Sequence, residues 1–222
     1  MYEKKENKYF DNVRKDLLET IPKNSRGGII LEIGAGSGET LLYAKKNNYA
    51  SKVYGIELVK LVNTKQDSPE IEKFCIGNIE TMLFPFEDIK FDIIIMGDVL
   101  EHLINPYLML KKLANYLTKD GMVIASIPNI REWDTMKTIF LKGDFKYVDS
   151  GILDKTHLRF FTKKNMIQLF ENNGFRVLEI KSKNNTTPLK YFIRLKLFKF
   201  MLKIFFPEFL TEQYIITANL KN

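Results

Sequence analysis

The sequence predicts an α/β fold, a parallel sheet with helices on both faces. Short apolar runs alternate along the chain with segments of helical period. One run, FDIIIMGD at 91–98, has four consecutive apolar residues, as expected of a strand covered on both sides. Cap residues fall where helices should begin and end: Asn105 before Pro106, Thr162 before an apolar-periodic stretch, and Gly174 after it.

The elements follow in order. A helix over 9–20 precedes the sheet. GIILEIGA (28–35) reads as a first buried strand and GETLLYAKKNN (38–48) as the helix after it. KVYGIEL (52–58) is a second strand, KFCIGNI (73–79) a short third and FDIIIMGD the fourth. NPYLMLKKLANYLTKDG (105–121) reads as a helix stopped by Gly121, and GMVIASIPN (121–129) as the fifth strand. TKKNMIQLFENNGF (162–175) is a helix, FRVLEIKSK (175–183) a sixth strand and EQYIITANL (212–220) the last. Two segments break the alternation, 129–161 and 183–210. Insertions at strand ends are where such sheets usually place substrate recognition.

The 222 residues suit a single domain spanning 1–222. One cysteine, Cys75, excludes an internal disulfide and a cysteine-rich metal site, so a reducing, cytoplasmic setting is expected. The charged start lacks the apolar core of a secretory signal, and no apolar stretch reaches the ~18 residues of a membrane span. Net charge is +7, of which +6 lies from Lys181 onward. A nearly neutral body argues against a nucleic-acid partner.

The loop LEIGAGSGET, 31–40, spaces Gly34, Gly36 and Gly38 at every second residue. A dinucleotide fingerprint prefers a small residue where Glu39 stands, and a P-loop needs a closing Gly-Lys-Ser/Thr. Glu32 and Glu39 flank the loop, which disfavours a pyrophosphate and suits a cationic ligand. Glu57 follows Gly38 by 19 residues at the end of the second strand, where an acid accepts from both ribose hydroxyls.

These residues resemble those of the class I S-adenosylmethionine-dependent methyltransferases. The matching motifs run in order: LEIGAGSGE, YGIEL, GNIE and FDIIIMGDVLEHLINP, within roughly 28–180. The resemblance implies a seven-stranded, mostly parallel Rossmann-like sheet with an antiparallel last strand. It implies S-adenosylmethionine as cofactor. Glu32, Gly34, Ala35, Gly36 and Gly38 would hold its methionine part, and Glu57 with Leu58 its ribose end. Asn78 and the Ile79 amide would read the adenine edge, and Asp98 would lie beside the methionyl amine. Asn78 stands where the family more often has Asp, which weakens but does not abolish that contact. The N-terminal segment 1–27, with Tyr9, Phe10 and Arg14, either covers the cofactor or packs as plain structure.

Only two histidines are available as a general base. His102, in DVLEHL, lies past the fourth strand and either caps the loop or acts in catalysis. His157, in DKTHLRFF, lies between Asp154 and Arg159, which either recognise a hydroxyl-bearing or anionic acceptor or tie the loop by an ion pair. No run has metal-ligand spacing, so a metal-independent enzyme is expected. Residues 126–162 resemble a subgroup associated with bacterial surface-polysaccharide biosynthesis. That implies O-methylation of a sugar or glycan precursor, with Trp133 among the aromatics suited to sugar stacking.

Residues 189–206 hold 13 apolar and five basic residues and no acid. Such a helix could lie peripherally on the anionic inner face of a membrane, or be buried in the fold or in a homodimer interface. Two other readings stay open: a methyltransferase for a lipid or quinone-like acceptor, and a non-catalytic binding protein with this fold.

Overall fold

Side-chain alternation along each strand divides the apolar residues between two layers. In β4 (Phe91–Gly97), Ile94 and Met96 face one layer and Ile93 and Ile95 the other, all fully buried. β1 (Gly28–Ile33) divides the same way, with Leu31 and Ile33 opposed to Ile30. The remaining strands are β2 (Ala50–Glu57), β3 (Lys73–Ile76), β5 (Leu117–Pro128), β6 (Phe175–Asn184) and β7 (Thr211–Leu220). The computed structural model describes residues 12–184 and 206–221. Its seven-stranded sheet has the order β3-β2-β1-β4-β5-β7-β6. The pairs among β1 to β5 are parallel, and β7 enters antiparallel between β5 and β6.

Helices cover both faces, as expected. α1 (Lys15–Leu18) and α2 (Glu39–Lys46) bury Leu17, Leu18 and Leu41 on one side. α3 (Pro106–Ala114) and α5 (Lys163–Glu171) bury Leu110, Leu113, Met166 and Leu169 on the other. The predicted caps form. Asn105 accepts from the Leu108 amide at 3.0 Å, and Thr162 forms a reciprocal capping box with Asn165. A fifth helix, α4 (Trp133–Lys142), opens the 129–161 insertion and is capped by the Glu132 carboxylate.

Two boundaries differ from the sequence reading. The helix expected over 105–121 stops at Ala114, and β5 begins at Leu117. The Phe91 amide takes the Tyr116 carbonyl, so this stretch joins the sheet instead of a further helical turn. Gly121 is therefore a strand residue. A Cβ there would lie 3.0 Å from the carbonyl oxygens of Phe91 and Thr118. The helix expected over 9–20 is, among the described residues, only α1, and 12–14 are not helical. Arg14 instead gives its amide to Thr40 Oγ1 and its side chain to the sheet edge.

The 189–206 segment, apart from Phe206, lies outside the described residues, as do Tyr9 and Phe10. Among the described residues no helix is long and apolar enough to cross a membrane.

Candidate active site

The carboxyl ends of β1, β2 and β4 open into a cleft of about 650 Å³. Parallel strands place their C-terminal loops on one edge, so the motifs separated in sequence meet there. Glu32, Gly34, Ala35, Gly36, Glu57, Leu58, Asn78, Ile79, Asp98 and His102 all line it. Gly38 does not line this cleft. It caps α2 in the left-handed conformation, φ +86°, and supports the loop from behind.

Glu57 is the keystone of the loop. It is buried, its Oε2 accepts the Gly36 amide at 2.8 Å and its Oε1 the Leu58 amide at 2.6 Å. Burial raises its pKa, while these backbone amides lower it. Gln66 braces the same loop by donating to the Gly36 and Val59 carbonyls. Glu32 is buried more severely. Its Oε2 has no hydrogen-bond partner among the described residues. Burial, helped by the nearby Glu57 charge, pushes its carboxyl up to about 8 against the attraction of Arg14 and Thr40.

Gly34 sits at φ +72°, and a Cβ there would lie 2.6 Å from Val99 Cγ2. Gly34→Ala should therefore lower stability by ~1–2 kcal/mol through the left-handed backbone alone, with the collision added. An unchanged midpoint in thermal unfolding would contradict that reading of the loop.

Asp98 follows β4 in the left-handed region, φ +57°, unusual for a residue with a side chain. Its amide donates to Ser126 Oγ at 3.0 Å, and its carboxylate accepts from Arg14 at 2.6 Å and from Gln213. Arg14 also grips Asp16, whose pKa falls to about 2 although burial opposes the shift. Lys183 adds a 2.9 Å contact to Asp16. The segment before β1 is thus pinned across the cleft by charge. At the opposite end, Asn78 Oδ1 accepts the Glu80 amide, and the Glu80 carboxylate accepts the Ile104 and Asn105 amides.

A second cavity of about 240 Å³ shares Asp98 and Lys183 with the first. Glu101, Asp154, His157, Glu212 and Gln213 complete its polar wall. The two histidines meet edge to face, with ring centroids 4.7 Å apart. His102 Nδ1 lies 3.0 Å from the Thr156 carbonyl, and His157 Nδ1 2.9 Å from the Ile152 carbonyl. A carbonyl only accepts, so each Nδ1 carries a proton and donates it there. Beside them lies Glu101, 1% exposed, with both carboxylate oxygens unpartnered among the described residues. Burial, then the Asp98 charge, raises its pKa well above the usual carboxylate range.

Two expectations need correction. Arg159 does not pair with Asp154; its guanidinium donates to the Ile104 carbonyl at 2.6 Å. Asp154 instead accepts from the Thr156 amide and hydroxyl. The Leu158 and Arg159 amides both donate to the Glu101 carbonyl, which stitches the insertion to the end of β4. Trp133 lines neither cavity and packs edge-on against Phe209, 6.1 Å between centroids. Sequence proximity suggested the Asp154–Arg159 pair, but the turn around His157 points the two side chains at different partners.

A family profile described as a methyltransferase domain matches residues 3–180. The chain belongs to this methyltransferase family, and it is an enzyme of that class. Solved structures similar to it include a complex between the Haloferax volcanii Trm112 methyltransferase activator and a putative methyltransferase. That match has TM-score 0.67 and 13% identity, over 97% of this chain and 94% of that one. An S-adenosylmethionine-dependent methyltransferase from Mesorhizobium loti matches at TM-score 0.62 and 13% identity, over 93% and 97%. A Burkholderia thailandensis 1,6-didemethyltoxoflavin-N1-methyltransferase, solved with S-adenosylhomocysteine, matches at TM-score 0.58 and 15% identity, over 95% and 78%. At such identities the likeness is one of fold.

In this methyltransferase several site residues carry no signal in the sequence. Asp16, Ser126, Lys183 and Gln213 reach the site from four elements that are remote along the chain. Glu101 stands inside a recognised motif, but nothing in DVLEHL says that its carboxylate is buried without a partner.

Proposed function

We propose that the enzyme transfers a methyl group from S-adenosylmethionine to a hydroxyl of a sugar or glycan precursor. The cofactor reading is supported by the fit of the cleft. The buried, unpartnered Oε2 of Glu32 suits the cationic methionine part, and the fixed Glu57 carboxylate suits two ribose hydroxyls. Leu58, 43% exposed in the same cleft, offers apolar surface to a purine. When bound, S-adenosylmethionine supplies a methyl group on an electrophilic sulfonium.

The observation that carries the acceptor reading is the second cavity. Its lining of acids, an amide, a lysine and His157 suits a molecule dense in hydroxyls, and it joins the cofactor cleft at Asp98. His102 lines one cavity and His157 the other, so the histidine pair stands at the junction. Holding an acceptor hydroxyl there supplies positioning, and the histidine pair stands where that hydroxyl has to be activated.

Labelled S-adenosylmethionine offered with free sugars, nucleotide sugars, lipid extracts and quinols tests the reading. A methylated sugar is expected; methylation of a quinol or lipid alone would replace the proposal with the lipid-directed one. His157→Ala should cut turnover about 100-fold or more while leaving cofactor affinity intact. Unchanged turnover would remove the histidine pair from the mechanism.

A further inference from the structure

Glu101, His102 and His157 each offer a ligand atom, and these atoms lie within 4.8 Å of one another. The geometry points to a divalent transition-metal site of the zinc class at these three residues, on the acceptor side of the cofactor cleft. The inference rests on the reading above only for its role, which is to orient the acceptor oxygen where the two cavities meet.

Three independent features support it. First, Glu101 is 1% exposed and neither carboxylate oxygen has a hydrogen-bond partner among the described residues. A buried carboxyl in this condition costs stability unless paired, and metal coordination is one of the few ways to pair it. Second, both histidines present Nδ1 to a backbone carbonyl, of Thr156 and of Ile152. Histidines that bind metals commonly show this arrangement, in which the outer N–H is fixed by a carbonyl and the ring is oriented to coordinate through Nε2. Third, two imidazoles and one carboxylate with room for further ligands form a donor set of catalytic rather than structural zinc type. The adjoining 240 Å³ cavity, lined by Glu101 and His157, supplies that room.

The sequence hid this site because metal-binding runs are read from close spacing. Here two ligands are adjacent, and the third arrives on the 129–161 insertion. The Leu158 and Arg159 amides hold that insertion in place by donating to the Glu101 carbonyl. The ligand cluster is thus fastened by the backbone of one of its own members.

The test uses the full chain, free of any affinity tag and stripped with a chelator. Co²⁺ is titrated by visible absorption, Zn²⁺ competes, and S-adenosylmethionine is titrated by calorimetry in parallel. Wild type should take up one equivalent of Co²⁺ that Zn²⁺ displaces. Glu101→Gln and His157→Gln should each weaken it at least about 100-fold, more than loss of a group that merely supports a ligand. Both variants should retain S-adenosylmethionine binding, since neither residue lines the cofactor cleft. Glu101→Gln keeps the shape of the side chain, so it decides the matter alone if His157→Gln does not fold. Equal Co²⁺ binding by wild type and Glu101→Gln would overturn the site. So would wild type that binds S-adenosylmethionine but no Co²⁺. Co²⁺ binding lost in Glu101→Gln, with no S-adenosylmethionine bound by any form, would uphold the metal site and remove the methyltransferase reading of the cleft.

Discussion

Replacing Glu57 by Ala should weaken S-adenosylmethionine and S-adenosylhomocysteine binding at least about 100-fold. Hydrogen bonds to a charged group are worth ~1.5–3 kcal/mol each, and two ribose hydroxyls would lose theirs. The damage does not stop there. The Gly36 and Leu58 amides, now held at 2.8 and 2.6 Å by the two carboxylate oxygens, would lose their acceptor. The glycine loop would then lose one of its side-chain braces and keep Gln66. Calorimetric titration with both ligands, and with NAD as control, measures this. Affinity for S-adenosylmethionine equal to wild type would mean that Glu57 only shapes the loop.

Glu32 should make the ligand-free protein lose stability as pH rises. Its carboxyl titrates near 8 in the fold against an ordinary value of 4.5. Below about pH 4.5 both folded and unfolded chains hold the proton, and the group is neutral to stability. Between 4.5 and 8 the unfolded chain releases a proton that the folded chain keeps, so stability declines through that window and levels off above it. The shift amounts to ~5 kcal/mol at most, at about 1.4 kcal/mol per pKa unit. Glu57 and Glu101, also raised, add in the same direction. Asp16, lowered to about 2, acts only below the ordinary carboxylate range and does not touch this window. Urea unfolding at pH 5, 6.5 and 8 should show the decline in wild type and a shallower one in Glu32→Gln, smaller by the share of Glu32. A parallel decline in both would assign the pH dependence elsewhere.

The same shift predicts a proton effect on binding. A cationic ligand beside Glu32 favours its charged form, so S-adenosylmethionine should release a proton near neutral pH. Binding heats in buffers of different ionisation enthalpy would then differ. Heats independent of buffer would place the cation away from Glu32.

Much of the fold was legible because its signals are local. Four consecutive apolar residues in β4 mark a strand buried on both faces, and Asn105, Pro106, Thr162 and Gly174 mark helix ends through backbone chemistry that needs no distant partner. The C-terminal end of α3 was not legible. Residues 117–121 have the composition of a helix tail, and only the pairing of β5 with β4 shows that they belong to the sheet. The cofactor cleft was legible for a related reason. Each of its motifs sits at a strand end, and a parallel sheet brings strand ends together whatever lies between.

What the sequence by itself determined was therefore the sheet with its two helical layers, the glycine loop and the acids of the cofactor cleft. Tertiary structure alone decided the rest. It turned Arg159 toward Ile104 and Asp154 toward Thr156, drew Arg14 onto Asp98, and set Glu101, His102 and His157 around one point. Local signals arise from backbone geometry within a few residues. Where an insertion's side chains point is set instead by which carbonyls and carboxylates the folded chain brings within hydrogen-bond reach.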